Sequence, residues 1–316
     1  MLTIYKSNYT SIRELTQDTI EKGAWINLVN PTTDELHLVT ALANIPNDFL
    51  RAALDEEERS RTEIEDNALL IITNIPIMRN NDSYDTLPLG IILTTEYIIT
   101  VCLEQNDVLS DFNPANCRLF STFKKTRFLF QILYKSATLY LKYVKQINRR
   151  TDEIERHLRK SAKNQDIFEL LDLQKAFTYF TASLRSNGIV LEKLLRLRSN
   201  IQLQHLITIY EEDEDLLEDV IIENKQAIEM VEMYSNILNG MMDTFASIIS
   251  NNLNMIMKFL TSVTILLAIP TMISSFFGMN VDIPWGGELN GFVNVTVLAI
   301  LATCVTAFSL WKKRFF

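Results

Sequence analysis

Helix-breaking residues are scarce in this chain. It holds seven prolines and eight glycines in 316 residues, and between Cys117 and Met257 there is no proline and only Gly188 and Gly240. So long a stretch without a breaker predicts a long helical region. Cysteine is scarce too. Cys102, Cys117 and Cys304 are odd in number, far apart and without metal-ligand spacing, which excludes a disulfide framework and points to reduced thiols of a cytosolic domain. Basic residues are in deficit, with a formal net charge of −9. Phosphate binding needs the opposite balance, so nucleic acid is excluded as a partner. The opening residues, Met1-Leu2-Thr3-Ile4-Tyr5-Lys6, lack a basic segment leading into an apolar one. No secretory signal is expected, and the N-terminal part is expected to stay in the cytoplasm. No phosphate-cradling glycine loop and no nucleophile–base constellation occurs, so neither catalysis nor a cofactor is expected.

Charge is missing from two runs near the C-terminus, 259–281 and 289–311. Each exceeds the roughly 20 apolar residues that a helix needs to cross about 30 Å of hydrocarbon. Membrane spans are expected at about 256–279 and 290–311, with the lipid bilayer as a partner. Lys258 precedes the first run and Lys312, Lys313 and Arg314 follow the second, while the connecting loop carries Asp282 and Glu288 but no Lys or Arg. Positive charge stays inside, so both termini are placed in the cytoplasm and the loop outside, in a multi-pass protein of the plasma membrane.

What precedes the spans divides in two. Residues 1–116 read as α/β. Trp25-Ile26-Asn27-Leu28-Val29 alternates as a short strand ending at Asn30-Pro31, and Thr32 or Thr33 then caps a helix reaching Ala43, with Asp34 and Glu35 in its first turn. Stretches 68–78, 89–94 and 97–103 are apolar and β-branched, the last two forming a hairpin. Residues 117–253 read as a helical stalk, and 254–316 as the membrane hairpin with its basic tail. Apolar residues recur at three-to-four spacing through Leu129, Ile132, Leu133 and Leu139, then through Phe168, Leu171, Phe177 and Leu184. From about Leu203 a third segment runs unbroken into the first span, about 70 residues or about 100 Å at 1.5 Å per residue. Its part between Leu203 and Asn251 is rich in carboxylates, Glu211 and Asp219 among them, with Lys225 as the single lysine; the preceding helices carry excess base. Acidic and basic helices can pair in a solvated bundle. Alternatively, some carboxylates face each other across subunits and take divalent cations, Mg²⁺ favouring one or two carboxylates plus retained water.

At the outer end of the first span stand Gly278, Met279 and Asn280. Gly and Asn both favour a helix C-cap, so the triplet has a structural reading as well as a functional one. The position after a long acidic helix, in the penultimate span, resembles the CorA-type magnesium channel family, with the ZntB-type zinc branch as a near relative. The resemblance extends over the whole chain. Trp25-Ile26-Asn27-Leu28-Val29-Asn30-Pro31-Thr32 is similar to the family's N-terminal segment, and Pro270-Thr271 with Ser274-Ser275-Phe276-Phe277-Gly278-Met279-Asn280 to its pore-helix exit. It implies a homopentamer with an α/β cytoplasmic funnel, a helical stalk and a two-helix membrane hairpin whose first span lines the pore. It further implies a selectivity filter at Gly278, Met279 and Asn280, pore-lining roles for Asn254, Met257, Leu260 and Thr271, and a regulatory carboxylate at Asp219 with Asp82 or Asp85 as candidate partner. Asp282 and Glu288 would attract cations at the mouth. Mg²⁺ would be both substrate and regulatory ligand, with Co²⁺ and Ni²⁺ as further substrates.

Physics supports an amide at that mouth. Mg²⁺ releases its waters reluctantly, and an amide carbonyl accepts hydrogen bonds from coordinated water without the deep trap of a carboxylate. Two alternatives stay open. The loop's Ile283-Pro284 and Gly286-Gly287 are similar to the ZntB branch, implying Zn²⁺ transport with or without proton coupling. A membrane-anchored coiled-coil sensor or scaffold would conduct nothing.

Overall fold

The computed structural model describes residues 1–8, 11–65, 67–79, 83–159, 164–197, 203–280, 284 and 290–313. The chain divides into two compact units, Met1–Gly240 and Met241–Phe316.

The first unit is built on a seven-stranded sheet in the order β2-β1-β3-β7-β6-β5-β4. The strands are β1 (Leu2–Ser7), β2 (Ile12–Leu15), β3 (Trp25–Val29), β4 (Arg61–Glu65), β5 (Ala68–Arg79), β6 (Ser83–Thr94) and β7 (Ile98–Cys102). Only the β3–β7 pairing is parallel; the other neighbours run antiparallel. Central strands β5, β6 and β7 are buried along almost their whole length, because helices cover both faces. On one face α1 (Thr33–Ala43) and α2 (Asn47–Ala52) bring Leu36, Val39, Phe49 and Leu50 onto Ile26, Leu28, Leu70, Ile72, Ile92 and Val101. Gly90 is required there: a Cβ at that position would stand 2.6 Å from the Ala53 Cβ. Helix α1 starts with a capping box, in which Thr32 accepts from Glu35 N and the Glu35 carboxylate accepts from Thr32 N.

After the short α3 (Asp107–Ser110), the other face takes two long helices, α4 (Lys125–Leu158) and α5 (Asn164–Leu197). The Trp25 ring lies edge-on to Phe128 of α4, centroids 5.2 Å apart, and its Nε1 donates to Thr100 Oγ1 at 2.8 Å. The Tyr140 hydroxyl donates to the Asn74 carbonyl at 2.9 Å. This is the aromatic payload that fixes α4 on the sheet.

Helix α6 (Glu211–Phe277) begins in the first unit and continues in the second. Its first part presents Leu217, Val220, Asn224, Ala227, Val231, Tyr234 and Leu238 in strict alternation of three and four residues, and Leu217, Val220, Asn224, Ala227, Val231 and Leu238 are buried. That is a heptad seam, and α5 fills it antiparallel: Leu184 O accepts from Asn224 Nδ2 at 3.1 Å, Arg185 reaches Glu232 at 2.6 Å and Gln174 reaches Asn239 at 2.6 Å. Acid and base therefore pair between these helices, and Arg127 of α4 adds contacts to Glu212 and Asp213. The holding force is the seam, since burying a Leu or Val is worth about 1.5–3 kcal/mol and an exposed ion pair about 0–1 kcal/mol. Helix α7 (Gly291–Lys312) completes the second unit's helices.

Candidate functional site

Beyond Lys258, helix α6 carries no charged side chain up to its end at Phe277. At 1.5 Å per residue this stretch is about 28 Å long, close to the thickness of a hydrocarbon core. Helix α7, at 22 residues, likewise has the length and composition of a membrane span. Their apolar side chains, among them Phe259, Leu267, Phe276, Leu301 and Phe308, are exposed on the isolated chain. Contiguous apolar surface of this extent needs lipid or other protein against it.

One stripe along α6 differs from the rest. Asn254, Met257, Thr261, Thr264, Ala268, Thr271, Ser275 and Gly278 follow one another at alternating spacings of three and four, so they share a helix face, and all are exposed on the isolated chain. Leu260 flanks it and is also exposed. Thr264, Ala268, Thr271 and Ser275 line a groove of about 590 Å³ with Leu267, Met272 and Phe276. The Thr264 hydroxyl donates to Leu260 O and the Thr271 hydroxyl to Leu267 O, both at 2.9 Å. Each donor is spent inside the helix, so these hydroxyls offer outward only acceptor lone pairs. Pro270 sits within the helix, and its missing N–H leaves the Leu266 carbonyl without the usual donor. Thr261 and Thr264 were not singled out from the sequence, and Ser275 was named only within the pore-helix exit. The signal was there in the three–four spacing down from Gly278.

The triplet closes the helix by tightening it. Gly278 N donates to Ser275 O at 3.2 Å and Met279 N to Phe276 O at 3.4 Å, i→i−3 bonds of the 3₁₀ kind. Among the described residues Gly23 is the only glycine with positive φ, so Gly278 is not a left-handed C-cap. Its role is spatial: a Cβ there would lie 3.3 Å from Ser274 O and 3.6 Å from Ser275 O. Met279 and Asn280 are exposed beyond it, and no hydrogen bond reaches the Asn280 amide among the described residues. Asp282 and Glu288 lie outside the described residues, as does Asp82.

Asp219 projects from the first part of α6, exposed and without an ion pair or hydrogen bond among the described residues. Asp85 is engaged within the sheet, one oxygen accepting from Arg79 at 3.0 Å and the other from Thr86 N at 2.8 Å. Among the described residues of this single chain no group of three or more His, Cys, Asp or Glu side chains is arranged to hold a metal ion.

A sheet-and-helix unit whose longest helix runs on as an uncharged, membrane-length segment, followed by an amide-bearing turn and a second apolar helix, defines a membrane protein of the ion-transport class. Residues 21–313 match the family described as CorA-like Mg²⁺ transporter protein, and the chain belongs to that family. It is 28% identical over 287 residues to a cobalt/magnesium transport protein CorA of Methanocaldococcus jannaschii, covering 88% of this chain and 86% of the relative. The complete structure of a CorA magnesium transporter from that organism superposes with a TM-score of 0.84 over 100% of this chain and 99% of the other, at 24% identity. The cytoplasmic domain of ZntB from Vibrio parahaemolyticus shares the fold over 79% of this chain and 96% of that one, with a TM-score of 0.60 at 14% identity.

Proposed function

We propose that the chain is one subunit of a homopentameric channel admitting divalent cations, Mg²⁺ first and Co²⁺ or Ni²⁺ after it, from outside the cell into the cytoplasm. Its cytoplasmic part comprises an α/β domain (1–116) and a helical stalk (117–253), and residues 254–316 form the membrane hairpin with both termini inside. The observation that carries this reading is the uncharged end of α6, where an exposed Asn280 amide follows the acceptor-only hydroxyls of Thr264 and Thr271 on one face. Hydrated Mg²⁺ presents only water hydrogens to its surroundings, so a pathway for it needs acceptors rather than donors. In a symmetric ring one Asn280 becomes several convergent carbonyl oxygens, strong enough to order the hydrated ion and weak enough to release it. Met257 and Leu260 at the cytoplasmic end suit a constriction that closes by dewetting. Asn254 supplies a second amide below them. No fuel is needed: a divalent cation gains about 4.6 kcal/mol for each 100 mV of inside-negative potential.

Family membership and the cobalt/magnesium transport name of the relative support the same reading. Regulation belongs to cytoplasmic Mg²⁺, taken by carboxylates such as Asp219 on neighbouring subunits and holding the stalks closed. The test is reconstitution into liposomes, with Mg²⁺, Co²⁺ and Zn²⁺ flux measured with and without a proton gradient, for the native chain and for Asn280→Ala. Potential-driven Mg²⁺ influx that disappears in the variant is the expected result. Unchanged Mg²⁺ flux in Asn280→Ala sinks the filter assignment, proton-dependent Zn²⁺ flux in its place moves the protein to zinc transport, and no flux of any cation leaves a scaffold.

A further inference from the structure

We propose that one buried water molecule is a fixed structural ligand of this protein, held where β5, α4, α5 and α6 meet. Two hydroxyls there have no partner. Thr73 Oγ1 on β5 and Ser136 Oγ on α4 are buried and make no hydrogen bond. Ser136 differs in this from its neighbours on α4, since Thr138 and Thr151 donate to carbonyls of their own helix at 3.0 Å. Both orphaned residues line one small cavity with Tyr140, Asn187 and Asn224, and the two hydroxyl oxygens themselves are buried. The space available to the centre of a water in it is about 10 Å³, and about 10–15 Å³ is what one water needs.

The rest of the wall fits this occupant. The Tyr140 hydroxyl hydrogen and both ends of the Asn187 amide are already engaged with Asn74 and Ser60. Asn224 gives one amide hydrogen to Leu184 O, and its second N–H and its Oδ1 have no protein partner among the described residues. A water accepting from one hydroxyl, donating to the other and meeting the Asn224 amide has the two to four polar contacts that keep buried water in place. An empty cavity would leave two desolvated hydroxyls at a helix–sheet joint, each destabilising. The water thus makes the seat of α6 on the sheet a polar, bridged contact beside the apolar side chains of Leu133, Leu191 and Val220.

The experiment uses the full chain in two measurements. A high-resolution density map should show a peak within hydrogen-bonding distance of Thr73 Oγ1 and Ser136 Oγ. Thr73→Val keeps the shape and removes the hydroxyl; with a bridging water present it should lower Tm by about 2 °C or more. The Thr73→Val/Ser136→Ala double variant should then lose less than the sum of the single effects, because both act through one molecule. A site without density, or a Thr73→Val protein whose Tm is unchanged or raised by loss of an unsatisfied hydroxyl, overturns the proposal.

Discussion

The side-chain amide of Asn187 completes both backbone hydrogen bonds of Asn74, accepting from its N–H at 2.9 Å and donating to its carbonyl at 2.8 Å. Strand β4 stops pairing with β5 at Ile72, so Asn74 faces no further strand on that side, and a helix side chain takes the missing strand's place. Ser60 Oγ donates to the same Asn187 oxygen at 2.8 Å. Asn187→Leu should leave the part-buried Asn74 N–H without a partner and its carbonyl with only the Tyr140 hydroxyl, and destabilise the protein by about 1–3 kcal/mol. Thermal unfolding of the full chain checks this. A change within about 0.5 kcal/mol, the range of an ordinary surface substitution, would mean that the pair contributes little.

Gly278 gives a prediction in which stability and transport part company. The atoms facing a new Cβ are the backbone oxygens of Ser274 and Ser275, at 3.3 and 3.6 Å. Flexible side chains would yield, but here the last helical turn has to give by a few tenths of an ångström. Gly278→Ala should therefore keep unfolding nearly unchanged while moving Met279 and Asn280. Mg²⁺ flux is expected to fall by about tenfold, as small misplacements of a working group do. Liposome flux beside a thermal scan of the same preparation measures both. Native flux in a stably folded variant would show that the turn's geometry is not critical.

How much of this was legible in the residues follows from what each element needs. The cap at Thr32 or Thr33 is legible from residue type, whereas the reciprocal Thr32–Glu35 box was not read from the sequence. Strands β3, β5 and β7 stand out because burial demands apolar runs. Strands β1, β2 and β4 do not, since β2 and β4 form the sheet's edges and carry pairs such as Arg13-Glu14 and Arg61-Thr62-Glu63 that edges tolerate. Pro88 hid the first half of β6. It is accommodated because β7 pairs with β6 only from Leu89 onward, so its missing N–H points away from any neighbouring strand. The third long helix starts at Glu211 and not near Leu203, with Asp213 accepting from Tyr210 N at 3.4 Å at its entry. At the site, the apolar runs and the Gly278-Met279-Asn280 turn were readable. The face of α6 joining Thr264 and Ser275 to them was less so, because Ser and Thr in a membrane helix ordinarily bond their own carbonyls. A partner for Asp219 was not readable at all, since no local pattern encodes a contact between distant segments or copies.

Lys125, at the start of α4, gives a dependence on pH. Burial pushes its ammonium down to about 8, partly opposed by the Glu96 carboxylate, while its Nζ donates to Thr94 O and to Thr95 O, the latter at 2.7 Å. Between about 8 and the ordinary 10.5 the folded chain binds fewer protons at this site than the unfolded chain. Its contribution to stability therefore rises with pH across that window and is least favourable below it. The Tm of the native chain minus that of Lys125→Met should increase from pH 7.5 to pH 9.5. A difference that stays constant or shrinks would contradict the shift.

Asp219 separates a sensor from an ordinary surface carboxylate. It has no partner among the described residues of its own chain, so Asp219→Ala should leave stability within about 0.5 kcal/mol of native. If it instead binds cytoplasmic Mg²⁺ between subunits, the unliganded and liganded states lose a differential contact. The Mg²⁺ concentration that half-closes the channel should then rise by about 5-fold or more, the lower end of ordinary coupling between sites. Asp85 behaves differently under the same substitution, because its oxygens hold Arg79 and Thr86 N, and its loss should lower Tm before it alters gating. Patch-clamp or liposome flux over a range of internal Mg²⁺ gives the curve. A native gating curve in Asp219→Ala would move the sensor to another carboxylate of the acidic helix, and a falling Tm would mean that Asp219 has a structural contact which the isolated chain does not display.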